Sequence, residues 1–209
     1  MKNRVVRNWS IVGPFKRSGS FATAMSILSA STSVAKNDEE KSALQAWYWY
    51  DWANQAFALT VLTVVVPALT ASMYNTATGT QTGDSFYALV LGVSSLFVAV
   101  VSPVLGAIAD RIEIKKKILW AYTIVGVIFT AMMGLAPFLG EGTDYMFLAV
   151  CLVIGNIGFA GGNVIYYAFM PYVTSKEDAD HVSSWGYAYG FMGGSTICLL
   201  YTSDAADDP

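Results

Sequence analysis

The sequence predicts an all-α polytopic membrane protein, and three observations predict it. Of 209 residues, 55% are hydrophobic and only 13% charged, against about 25% charged in a soluble domain; the mean hydropathy is +0.47. Four uncharged runs stand in tandem: Trp52–Met73 (22 residues), Phe86–Ala109 (24), Ile118–Leu139 (22) and Met146–Met170 (25). Spanning a bilayer takes about 20 predominantly apolar residues. A buried soluble helix imitates one such run but not four in succession, and the alternating segments of about 10 residues that build a membrane β-barrel are missing. Charge is also segregated. Of 12 Lys and Arg, seven lie within residues 1–41, four within 111–117, and Lys176 stands apart.

The elements follow in order. Residues 1–45 form a polar extension, expected to be disordered, with no acid before Asp38. Within it, FATAMSILSASTSVA (21–35) is mildly apolar and ends in small residues. That pattern is shared by a short signal h-region, an acid-poor transit peptide, a plain cytoplasmic extension, and a leader upstream of a true start at Met25. Residues 46–197 form a partial transmembrane bundle, with helices over about 52–73, 86–109, 118–139 and 146–170 and an incomplete one over 185–197. The linkers carry turn residues. NTATGTQTGD (75–84) is rich in Gly, Thr and Asn, and GEGTD (140–144) is short and acidic. Residues 202–209 (TSDAADDP) cannot continue a spanning helix, and 198–209 (CLLYTSDAADDP) are read as a non-native read-through tail, so the chain is expected to be a fragment.

Basic residues favour the cytoplasmic side of short loops. Eleven of the twelve lie in the N-terminal segment and the 111–117 turn, and none in the 74–85 and 140–145 loops. The N-terminus and the turn after the second run are therefore expected in the cytoplasm. Lys176 then falls in a cytoplasmic loop, as alternation requires. The aromatic cluster Trp47, Tyr48, Trp49, Tyr50 and Trp52 suits the interface, where amphipathic rings anchor a helix.

Several chemistries have no support. Cys151 and Cys198 are far apart in apolar surroundings, with no CxxC. His181 is the single histidine, which rules out a multi-histidine metal site. Neither GxxxxGK[ST] nor GxSxG occurs, so nothing points to a nucleotide-driven pump or a hydrolase. The chain is not expected to be an enzyme, to need a cofactor or metal, or to bind nucleic acid.

Three sets of residues remain. Asp51 stands at the mouth of the first run, with Asn54 and Gln55 at i+3 and i+4 on its face. An ionisable group near membrane depth is costly and usually faces a bundle interior or wet cavity. A substrate, proton-coupling or gating role competes with that of an interfacial acid near a positive helix end. In the fourth run, Asn156, Asn163 and Tyr167 share a stripe, and Gly155, Gly158 and Gly162 share another. Small residues let helices approach closely, so the glycines are expected to pack. The asparagines either line a cavity or bond between helices. Pro67 and Pro103 lie inside runs, where proline frees a carbonyl and bends a helix. Finally, SPVLGAIADRIEIKKK (102–117) combines Gly106, Asp110, Arg111, Lys115, Lys116 and Lys117. It is a topology determinant and also reads as an ion-pair latch, with Gly106 one turn before Asp110 allowing close backbone approach.

At these residues the chain resembles the major facilitator superfamily, whose signature between the second and third helices is a Gly, then Asp-Arg, then a glycine and basic residues. Ile112-Glu113-Ile114 departs from it where a glycine is usual. Two further stretches resemble the vacuole effluxer-like branch, the autophagy-related amino-acid exporters. They are YDWANQAF (50–57) and VSSWGYAYGFMGG (182–194). Tyr166 to Pro171 is similar to that branch's FYNALLP, with Tyr167 standing where Asn is usual. The likeness covers roughly residues 47–194. It implies the N-terminal part of a twelve-helix bundle in two halves with alternating access, export of small solutes such as amino acids, with proton coupling an open option, and a C-terminal half missing from this fragment. The membrane would be a prokaryotic plasma membrane or a eukaryotic vacuole. The alternatives are a non-transporting multi-helix scaffold and a facilitator of another branch moving sugars or drugs.

Overall fold

A computed structural model describes residues 29–109, 112–140 and 142–206 of the chain. Its elements, in order, are α1 (Asp38–Phe57), a π-helical segment (Ala58–Val65), α2 (Val66–Thr78), α3 (Gly83–Ala109), α4 (Ile112–Met133), a 3₁₀ turn (Ala136–Phe138), α5 (Asp144–Tyr167), α6 (Met170–Val173) and α7 (Ala179–Ala206). No strand occurs among the described residues. Among the described residues, four stretches are long and apolar enough to cross a membrane: Asp38–Thr78, Gly83–Ile108, Ile114–Phe138 and Asp144–Tyr167. The helices are turned inside out relative to a soluble protein. Leu89, Val93, Leu96, Phe97, Val100 and Val104 form an exposed apolar stripe along α3, and Trp120, Ile124, Val127 and Ile128 form another along α4. Stripes of that extent mark a surface that meets lipid rather than water.

The chain divides into two compact units, residues up to Thr60 with those from Phe169 on, and Val61–Ala168. In the first, α1 starts well before the uncharged run. Asn37 caps it, its side chain accepting from the Glu40 N–H at 2.8 Å, while the Glu40 carboxylate accepts from the Lys36 N–H at 2.9 Å. Asp38, Glu39 and Glu40 fill the first turn, where negative charge complements the helix dipole. This corrects the expectation of disorder for 1–45 over its last residues, because 38–45 is helix; 1–28 lie outside the described residues. Replacing Asn37 by Ala should cost about 0.5–2 kcal/mol, read as a lower unfolding midpoint in detergent with unchanged helix content. Leu44, Trp47, Tyr48 and Asp51, at i, i+3, i+4 and i+7, are the buried face of α1. The Tyr48 hydroxyl donates to the Ser31 carbonyl at 3.0 Å, and its ring stacks on Tyr189 of α7 at 5.1 Å. The backbone of α7 remains helical through Ala206. Leu199, Leu200, Ala205 and Ala206 are strong helix formers.

In the second unit α5 is the buried element, packed against α4, α3 and α2. The helix preceding α2 changes register at Pro67, which sits in the first turn of α2. In a π-helix the carbonyl of residue i receives the N–H of i+5. For Leu62 that residue is Pro67, which has no N–H. The Tyr87 hydroxyl of α3 donates to the Leu62 carbonyl instead. Gly79, with φ +69°, ends α2 and donates to the Asn75 carbonyl at 2.9 Å; the Asn75 side chain accepts from the Gly83 N–H, also at 2.9 Å. α4 takes in Lys115, Lys116 and Lys117, which were expected in a turn, and it ends at Met133 rather than Leu139. Lysine is a good helix former, whereas Gly134 and Pro137 break the helix and leave a 3₁₀ turn. Similarly, α5 stops at Tyr167 rather than Met170, before Pro171 opens α6.

Candidate functional site

Asp110 and Arg111, the centre of the expected latch, lie outside the described residues. Around them the structure places four members of the motif. Lys115 is buried, and its Nζ donates to the Ala168 carbonyl at 3.3 Å. Ala168 is the C-terminal cap of α5, so the ammonium meets the negative end of that helix. Lys116 is half-buried and Lys117 exposed. Burial lies behind the hydrogen bond: Lys115 stands one turn into α4, where its aliphatic stem is covered and its charge reaches the only kind of acceptor a helix end offers. A Cβ on Gly106 would meet open space, so the close backbone approach expected there is not made by the described residues.

Asp51 is 5% exposed, and its Oδ1 is buried with no hydrogen-bond partner among the described residues. Across from it lies Gly190 of α7, where an added Cβ would come within 2.9 Å of Asp51 Oδ2 and 2.8 Å of Gln55 Cγ. Gly186 faces the Trp47 ring, Gly193 the Trp52 carbonyl and Gly194 the Leu59 side chain, each too close for a side chain. Gly186, Gly190, Gly193 and Gly194 therefore make one seam, at i, i+4, i+7 and i+8, into which α1 is pressed. Asn54 is half-buried on the same helix. The aromatic rings of Trp49, Tyr189 and Trp185 flank the seam.

In the second unit the Asn156 Nδ2 donates to Ser94 Oγ at 2.8 Å and to Ser95 Oγ at 3.3 Å, and the Ser94 hydroxyl donates to the Leu91 carbonyl at 2.8 Å. Asn156 is 4% exposed. It fastens α5 to α3, the interhelical alternative for that stripe. Farther along, Asn163 is half-buried and Tyr167 is 48% exposed against the edge of Tyr166. The stripe thus passes from core to surface. Among the glycines, Gly155 packs on Met133 and Gly158 on the backbone of Gly126 and Tyr122. Gly162 is buried, and Gly161, not singled out from the sequence, meets the Tyr122 ring. The α7 seam was also unmarked; the signal for it was the GxxxG spacing of Gly186 and Gly190.

Lipid-facing helices, glycine seams and buried polar pairs together define a multi-pass α-helical membrane protein whose polar groups are kept inside the bundle. The family model of vacuole effluxer Atg22-like proteins matches residues 76–203. The chain belongs to this transporter family, and the match runs past Cys198, where the tail was placed. It is also 31% identical over 156 residues to the uncharacterized MFS-type transporter YxiO of Bacillus subtilis (strain 168), over 74% of this chain and 35% of that protein. The chain thus spans about a third of that relative's length. No solved structure matches it.

Proposed function

We propose that this chain is part of a secondary active transporter that exports small solutes, amino acids first among them, by alternating access. The observation that carries the reading is the family match together with the 102–117 segment, a charge-segregated connection between two apolar helices whose Lys115 is bound to the end of a third. The segregation of basic residues supports a cytoplasmic N-terminus and a cytoplasmic 110–117 segment. Gly106, Asp110, Arg111 and Lys115–Lys117 form the gate in this reading, with Lys115 holding the α4 start against the α5 end while Asp110 and Arg111 make and break contacts with the remainder of the transporter. Asn156 then serves as a structural clamp, and Asn163 and Tyr167 stand nearer the surface as candidate solute contacts. Residues 46–197 belong to the N-terminal bundle and 1–45 lead into it. The membrane is a prokaryotic plasma membrane or a vacuole.

The test is flux of radiolabelled amino acids from vesicles containing the protein expressed from its full reading frame, with sugars and a lipophilic cation as parallel solutes. Amino-acid efflux is expected. Movement of sugars or the cation alone would assign another branch, and no movement of any would leave a membrane scaffold. A charge–dipole latch worth about 1 kcal/mol changes a two-state population about fivefold. Asp110→Asn should therefore lower efflux by about that factor, and unchanged efflux would remove the latch.

A further inference from the structure

We propose that residues 29–36 form a strap that docks beside α1, is pinned there by Tyr48, and comes off when α1 and α7 part. Ser31 and Thr32 are buried, at 0% and 4% exposure, although both are polar and both precede the first long helix. The chain doubles back to bury them. Tyr48 stands ~15 Å down α1 from Asp38, yet its hydroxyl donates to the carbonyl of Ser31, on the other side of the helix start, at 3.0 Å. The strap holds a turn of its own. The Ser33 N–H donates to the Ala30 carbonyl at 3.3 Å and the Ala35 N–H to the Thr32 carbonyl at 3.1 Å. Ser33, next to the two buried residues, is exposed. One edge of the strap is therefore docked and the other is free.

Two features make the docking releasable. The start of α1 is complete without it, because Asn37 accepts from the Glu40 N–H and Glu40 from the Lys36 N–H, so the helix stays capped when the strap leaves. What the strap buries is also small and polar, and exchanging such groups between water and protein partners gains little net free energy. A cleft between Lys36, Asn37 and Glu40 on one side and Thr174, Ser175 and Asp178 on the other gives the strap room to move. Tyr48 makes release answer to the seam. It is 0% exposed, its ring stacks on Tyr189 of α7 at 5.1 Å, and its hydroxyl holds the strap. Parting α1 from α7 withdraws the support of the ring, and the hydroxyl moves with it. Docked, the strap favours the packed seam. That it thereby restrains solute movement rests on the transport reading above; the docking itself does not.

The experiment separates the two. Cysteines are introduced one at a time as Ser31→Cys and Ser33→Cys in a Cys198→Ser background, which removes the exposed native thiol and keeps the buried Cys151. Their rates of reaction with N-ethylmaleimide are measured in lipid vesicles. Position 31 should react much more slowly than position 33. Tyr48→Phe keeps the ring and removes the donor. It should speed the reaction at 31 about fivefold, the effect of one net hydrogen bond on a two-state equilibrium, and leave 33 unchanged. Gly193→Ala should speed position 31 as well, because its Cβ would collide with the Trp52 carbonyl and force α1 from α7. Equal rates at 31 and 33 in the protein with Tyr48 intact would overturn the docking. A rate at 31 unmoved by Tyr48→Phe would overturn the pin, and one unmoved by Gly193→Ala would overturn the link to the seam. Efflux should rise in Tyr48→Phe. Unchanged efflux, with the labelling as expected, would overturn the restraint; no efflux from the unaltered protein would count against the transport reading and leave the strap standing.

Discussion

Gly158→Ala should destabilise the protein by about 1–3 kcal/mol, the range for forcing an extra methyl into a packed core, whereas Gly126→Ala across the same seam should be close to neutral. The two glycines face each other between α5 and α4 but are not equivalent. A Cβ on Gly158 would lie 2.6 Å from the Gly126 nitrogen, 2.8 Å from its Cα and 2.9 Å from the Tyr122 carbonyl oxygen. All three are backbone atoms, so relief requires the helices to separate. A Cβ on Gly126 would meet nothing closer than the Phe159 nitrogen at 3.6 Å, an ordinary contact. There the better helix propensity of alanine, up to about 1 kcal/mol, offsets any loss. Thermal unfolding in detergent, followed by circular dichroism, gives the comparison. Equal losses at both positions would mean that helix propensity, not the close approach, governs the seam.

That asymmetry marks how far the sequence could be read. The four spans were legible because lipid demands about 20 apolar residues in a row, and the α5 glycines were legible because small residues at helical spacing have few other uses. Gly155 lies against Met133 and Gly158 against the Gly126 backbone; Gly161 was passed over because it sits off the chosen stripe by one residue. Asn156 was left between cavity and clamp, since its partners Ser94 and Ser95 lie some sixty residues away and no local pattern announces them. The start of α1 was misplaced for a different reason. Absence of charge pointed to Trp52, while the capping pair Asn37 and Glu40 was present upstream and unused. Lys115 was read by its charge as part of a turn, although its neighbours allow a helix and its charge has an acceptor at Ala168. The α7 seam went unremarked because that helix was read only as the beginning of a span. What remained hidden were pairings between helices, which depend on distance and not on spacing.

Tyr87→Phe should cost about 1–3 kcal/mol, the penalty for leaving a half-buried carbonyl without its donor, and Pro67→Ala should reduce that cost. The reasoning runs through the register change in the first span. From Ala58 to Val65 the helix is π, and the Leu62 carbonyl looks for the N–H of residue 67. Proline there has none, and within a membrane no water stands in for it. The Tyr87 hydroxyl does so from α3, which ties the bend of one helix to the position of another. In Pro67→Ala the backbone recovers its own donor, so the hydroxyl becomes dispensable. A double-mutant cycle isolates the link: the loss on Tyr87→Phe, measured by unfolding midpoint, should be smaller in the alanine background, with a coupling of about 0.5–3 kcal/mol for groups in contact. If Tyr87→Phe costs the same in both backgrounds, the hydroxyl is not replacing the missing proline N–H, and the π segment is held by packing alone. A smaller loss would mean that the bend and its support are one device. The proline sets where the first span yields, and the tyrosine sets how readily.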